Sequence, residues 1–322
     1  MRQAVVLALV AAGLAAGASP SSLPAAGQAE PFTLGILRRD GVVTPLAVFD
    51  GDTWSSPWPA SLRSSEPPPS LDQVPKKWWG KSGPLDRMTL WTGGERRAVL
   101  QLRRPVAVPI LCTSTPGLGS DYVSPFPLPP PGTPSFPKDG LVISGSTAID
   151  AIASVSPDSP DWAASAALVS AQFDAAEARA ASGFSHWTHP VPRPARRSVP
   201  LAIESLFRAP MDVPGWTAYR FRAVKRYPAA PADHGCGPLS SASGWIGFGP
   251  GGRHWTELTV RITYCDRMDD LFTVPLGRLS AGGRSYWVYQ LSDVDHEGYV
   301  IARPTPRAVE TVVQHDAGSC PP

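Results

Sequence analysis

The sequence predicts a mainly β protein, with antiparallel sheets, an α+β second region carrying one main helix, and a proline-rich connector. Three observations carry that expectation. Two Asp-Gly pairs, Asp40-Gly41 and Asp50-Gly51, stand between apolar runs in LGILRRDGVVTPLAVFDGDTW. Asp-Gly tolerates positive φ at both turn positions, so such pairs mark hairpins. Two later stretches, Trp216–Tyr227 and Trp255–Cys265, alternate apolar and polar residues, the period of a strand with one buried face. One stretch alone, Asp158–Ala181, holds helical spacing.

Taken in order, residues 1–29 are expected to leave the chain. Met1-Arg2-Gln3 is a short positive start, Ala4–Ala16 is apolar, and small residues offer cleavage after Ala18 or Ala29. That is the plan of a secretory signal, and the apolar run falls short of the roughly 20 residues that span a bilayer. The mature protein is expected to be secreted or periplasmic, with no transmembrane segment. Lys and Arg total 29 against 27 acidic residues, so no cationic field suited to nucleic acid is present. Four cysteines in an exported chain imply two disulfides. The preferred pairing is Cys236 with Cys265 and Cys112 with Cys320.

Residues 30–112 read as a small all-β meander. Phe32–Leu37, Val42–Phe49 and a strand opening at Thr53-Trp54 are joined by the two Asp-Gly turns, and further strands are expected at Met88–Trp91, Ala98–Leu102 and Val106–Leu111. Between them, residues 55–84 form an irregular excursion rich in Pro and Ser. Residues 113–140 are expected to be the connector, because SPFPLPPPGTPSFP lacks the amides a ladder needs. Residues 141–322 make up the α+β region. Its helix opens with Ser159 as N-cap and Pro160 in the first turn, and Trp162, Ala166, Val169 and Phe173 form its apolar stripe. Later strands are expected at Gly244–Phe248, Leu271–Leu276, Arg284–Leu291 and Gly298–Arg303, with Pro306–Gln314 a short helix or a last strand.

Several motifs fall to their context. Gly247-Phe248-Gly249-Pro250-Gly251-Gly252 matches a dinucleotide fingerprint in letters, but a strand follows where the phosphate-binding helix must start. His234 lies two residues before Cys236, and His186 three before His189; neither makes a nucleophile or metal set, and no cofactor is implied. Asp293, Asp295 and Glu297 in SDVDHEG form the densest acidic cluster. On one strand face they could supply a general acid and base for glycoside hydrolysis, or begin a calcium loop. Pro304 occupies the position where that loop needs its bidentate carboxylate. Trp58, Trp78 and Trp79 could stack on sugar rings. Arg220, Arg222 and Arg261 are expected to project from the polar face of the second sheet and to suit an acidic polymer. The leading expectation is a non-catalytic binding or envelope-structural module with a polysaccharide or an envelope protein as partner. The alternatives are a secreted hydrolase using the acidic cluster and a calcium-stabilised module.

Overall fold

A computed structural model describes residues 29–320, apart from 63–65, 131–132, 134–135, 185–187, 230–235 and 268–269. The expected signal peptide, His186 and His234 lie outside the described residues. The chain is mainly β and antiparallel, with one long helix, as its sequence predicts.

The first seven strands are β1 (Phe32–Arg38), β2 (Val42–Phe49), β3 (Trp54–Ser55), β4 (Arg87–Thr92), β5 (Glu95–Ile110), β6 (Thr113–Ser120) and β7 (Lys138–Ile143). They pair in the order β1-β7-β4-β5-β6-β2-β3, and β1 also pairs with β2. That last pairing closes a ring of six strands, with β3 attached outside it. Every strand of the ring contributes to one apolar cluster: Leu37, Val43, Leu90, Leu100, Leu118 and Val142 among them. A cluster fed by all six strands of a closed ring must fill its interior, so this is a barrel with a solid core.

The two strands expected at Ala98–Leu102 and Val106–Leu111 are one long strand. A register shift between Leu102 and Pro105 bends it, at the point where proline withdraws an amide. Two strands stand at the ends of the expected connector. β6 is built from TSTPGLGS, which carries little strand propensity. Gly117 explains its composition: a Cβ there would come within 2.6 Å of Val108 Cγ2 and 2.7 Å of Val42 Cγ1. The barrel closes too tightly at that point for any side chain. Between Ser120 and Lys138, the described residues of the connector lie outside strands.

The rest of the chain forms two more sheets. In the middle sheet, β14 (Phe272–Ala281), β15 (Arg284–Ser292), β16 (His296–Pro304) and β17 (Val309–Ser319) run as a meander, and β8 (Ile149–Asp150) pairs with β14. Most of the expected Pro306–Gln314 element, from Val309 on, thus belongs to a last strand rather than a helix. In the outer sheet, β9 (Ala153–Ser154), β10 (Ala202–Pro210), β11 (Thr217–Arg226), β12 (Pro238–Phe248) and β13 (His254–Tyr264) are neighbours in sequence order.

Shared clusters show how these layers stack. Leu34, Ile36 and Phe49 of the barrel's outer surface meet Tyr286, Val288 and Ile301 of the middle sheet. The other face of the middle sheet, with Trp287 and Tyr289, meets Trp245 of the outer sheet and Trp216, the residue before β11. The far face of the outer sheet, with Phe221 and Val260, buries Val169 and Phe173. These belong to α2 (Pro160–Ser182); α1 (Lys76–Trp79) and α3 (Arg193–Ser198) are short. Ser159 caps α2, its side chain accepting the Trp162 amide at 3.2 Å.

Both expected disulfides are present. Cys112–Cys320 joins residues 208 apart, and Cys236–Cys265 residues 29 apart. Loop-closure entropy puts the longer at about 5 kcal/mol and the shorter at about 3.5 kcal/mol. Among the described residues, no helix is long and apolar enough to cross a membrane.

Candidate functional site

The two ends of the barrel differ. Beneath the start of β4, the Pro- and Ser-rich excursion folds in, and Trp58 and Trp79 enter the apolar interior with Val74. Trp58 is 3% exposed and Trp79 1%. Their rings meet edge to face at 5.2 Å, and Trp78, half-buried, packs on Trp58 at the same distance. These three indoles present no flat pair to a sugar. These tryptophans plug the barrel, a correction to their expected stacking role. An indole that supplies a large apolar area is most stable inside.

The opposite end holds a pocket. Here the β1–β2 turn, the end of β4 and the start of β7 converge. Gly41, at φ 81°, lies so close beneath the chain after β6 that a Cβ would sit 2.7 Å from the Tyr122 carbonyl oxygen. The Ser120 hydroxyl donates to the Gly41 carbonyl at 2.7 Å and accepts the Tyr122 amide at 3.2 Å. These contacts fold the proline-rich segment back over the barrel mouth.

Asp139 anchors the lip. Its carboxylate accepts from Arg39 Nε at 3.2 Å and from the Tyr122 hydroxyl at 3.0 Å. The Thr92 hydroxyl donates to the Asp139 carbonyl at 2.6 Å. The Arg39 guanidinium in turn lies over the Phe126 ring, 5.0 Å from its centroid. Burial, and then the hydrogen bond to Asp139, push the Tyr122 phenol above its ordinary pKa, so it stays a neutral donor.

The resulting pocket has a volume of about 360 Å³ and is lined by Leu90, Thr92, Ala98, Tyr122, Phe126 and Asp139. Arg97 and Pro125 complete the wall. The size, the mostly apolar lining and the few fixed polar groups are those of a small-ligand site at a barrel mouth. No residue of this pocket stood out in the sequence. The available signal was an aromatic pair, Tyr122 and Phe126, at the start of a segment that cannot pair as a strand.

The acidic cluster is not gathered into a cleft. Asp293 and Asp295 sit in the β15–β16 turn, where Asp293 Oδ1 accepts the Asp295 amide at 3.2 Å and the Asp293 amide donates to the His296 carbonyl at 3.0 Å. Burial and the neighbouring Asp295 raise the Asp293 pKa. Glu297 points elsewhere, 2% exposed between barrel and middle sheet. It pairs with Lys138 Nζ at 3.0 Å and accepts the Tyr299 hydroxyl at 2.6 Å. Among the described residues, no group of three His, Cys, Asp or Glu side chains could hold a metal ion.

Arg220 and Arg222 do alternate with the apolar face, but the expected solvated surface is a correction. They are 8% and 6% exposed, because the outer sheet is covered on both sides. Arg222 bonds Glu204 and Asp270. Arg220 lies between the rings of Trp245 and Tyr289, at 5.3 and 5.4 Å, and donates to the Thr273 hydroxyl at 3.0 Å. Arg261 remains exposed on β13. The dinucleotide-like run starts at Gly247 within β12 and ends in the turn before β13, with Gly251 and Gly252 at φ 68° and 75°.

Comparison of the chain with family models, with curated proteins and with solved structures finds no match.

Proposed function

We propose that the protein is an exported, non-catalytic binding module that receives an apolar group of an envelope-protein partner at the barrel mouth. The single observation that carries this reading is the preformed pocket of about 360 Å³ between the barrel lip and the proline-rich segment. Its polar groups are already engaged: Asp139 holds Arg39 and Tyr122, and Thr92 bonds the backbone. Groups satisfied in this way shape a pocket and orient its occupant; a catalytic group keeps a lone pair or proton for substrate. The same segment carries Val123 and Leu128, 85% and 62% exposed. Exposed apolar side chains around a pocket suit a protein partner better than a bare sugar. Two disulfides support an oxidising compartment.

The test is the fluorescence of 8-anilinonaphthalene-1-sulfonate titrated into the folded protein. Saturable binding to wild type, weakened about tenfold in Phe126→Ala at unchanged melting temperature, is the expected outcome; tenfold corresponds to about 1.4 kcal/mol. Absence of dye binding, or equal binding by the variant, would remove the barrel mouth as the site.

A further inference from the structure

The outer sheet carries a second concavity of different chemistry. In the β12–β13 ladder, Ser241 stands directly opposite Arg261, and Ser243 opposite Thr259. Opposed residues of an antiparallel pair share a face, and residues two apart along a strand share it too. Four polar side chains therefore form a square on the face that also carries Arg220 and Arg222. The ladder beneath them runs through eleven consecutive pairs without a register shift, so their spacing is rigid.

Asp270 and Leu271 close one side, leaving a pocket of about 170 Å³. Asp270 is 2% exposed and is held by the buried Arg222 guanidinium. Arg222 Nε has no hydrogen-bond partner among the described residues. The carboxylate is thus fixed in place by a buried cation, not left to swing at the surface.

The lining selects a class of ligand. Three hydroxyls both donate and accept, the Arg261 guanidinium only donates, and the Asp270 carboxylate only accepts. A hydrocarbon group would strip these atoms of water and return no hydrogen bond. An inorganic anion would gain from Arg261 but face the Asp270 carboxylate. A neutral polyol satisfies both, its hydroxyls donating hydrogen bonds to Asp270 and accepting them from Arg261. We infer that the Ser241–Ser243–Thr259–Arg261–Asp270 pocket is a saccharide site that takes one neutral sugar residue, separate from the barrel mouth.

Ligand-observed saturation-transfer NMR on the mature protein, with maltotriose, cellotriose and triacetylchitotriose as probes, tests this. Transfer to at least one of the three is expected from wild type. Thr259→Phe fills the pocket and should abolish it, while Ser243→Val removes one hydroxyl and should reduce it several-fold. Both variants are first checked for the wild-type melting temperature, and Ser243→Val serves alone if Thr259→Phe does not fold. Phe126→Ala should leave the sugar signal unchanged, so failure here and failure of the barrel-mouth reading are told apart. No transfer to any of the three probes overturns the inference, as does transfer undiminished in the pocket variants. Thermal stabilisation by inorganic phosphate without sugar binding would also overturn it and make the pocket an anion site.

Discussion

The barrel interior and the seam between the middle and outer sheets are both buried, yet they are filled on opposite plans. Inside the barrel, leucine, valine and methionine pack with Trp58 and Trp79, whose indole nitrogens have no hydrogen-bond partner among the described residues. Apolar contact is what packs these side chains together. In the seam, Arg220 stacks on Trp245 and Tyr289, and Arg222 bridges Glu204 and Asp270. Charges and rings share one layer. The contrast follows from closure. A ring of six strands presents one inward face with no exit, so only side chains without charge can fill it. Two open sheets leave margins where a long arginine can lie flat and reach an acid at the edge.

Three measurements would break or sharpen that contrast. The largest effect is expected from Trp79→Ala, which empties the plug of a barrel that cannot collapse around the loss. Urea denaturation should show a cost of about 3–5 kcal/mol, with little dependence on salt. A cost below about 1 kcal/mol would mean that the excursion lies on the barrel without supporting it.

An intermediate effect belongs to the far face of the outer sheet. The Tyr219 hydroxyl donates to Asp161 at 2.8 Å, and burial together with that carboxylate raises its pKa to about 12. Its folded pKa lies above the unfolded value near 10. The contribution is therefore full below pH 10 and is lost as pH rises through about 12. Tyr219→Phe should cost about 1–3 kcal/mol at neutral pH, the worth of a hydrogen bond to a charged acceptor. Wild type and variant should converge in alkaline denaturation. Parallel curves across that range would separate Tyr219 from the pH dependence.

The smallest effect is expected from Arg220→Met. Arg220 is buried with no ion pair among the described residues, and burial lowers its pKa. Replacing a buried charge with an apolar chain of similar shape is often neutral or stabilising. The midpoint of unfolding should stay within about 1 kcal/mol of wild type, or rise. A loss of about 3 kcal/mol would show that the rings and Thr273 hold the guanidinium more strongly than hydrocarbon could.

Local pattern made much of the fold legible. The Asp50-Gly51 turn forms as its sequence implies, with Asp50 Oδ1 accepting the Thr53 amide at 2.8 Å. The alternation of β11 and β13 and the cap of α2 are equally plain in the residues. β6 and β10 were not legible. The first is built from residues chosen for close approach, and the second has its alternation broken by a register shift between Ile203 and Ser205. The barrel-mouth pocket was hidden for a related reason. Leu90 and Ala98 face each other in the β4–β5 hairpin, but Asp139 joins them only because β7 returns to pair with both β1 and β4.

By itself, the sequence determined the hairpins, the helix with its cap, the antiparallel β character and an even set of cysteines, because each of these rests on neighbours a few residues apart. Tertiary structure alone decided what covers each face. The alternation in Tyr219–Arg220–Phe221–Arg222 states that two faces differ. It does not state that a second sheet will bury the arginine face, that tryptophans from a loop will enter a barrel, or that strand pairing will close the ring. Those outcomes depend on contacts between residues about a hundred positions apart, such as Arg39 with Asp139, and the free energy of covering a surface is not written in the period of the strand that carries it.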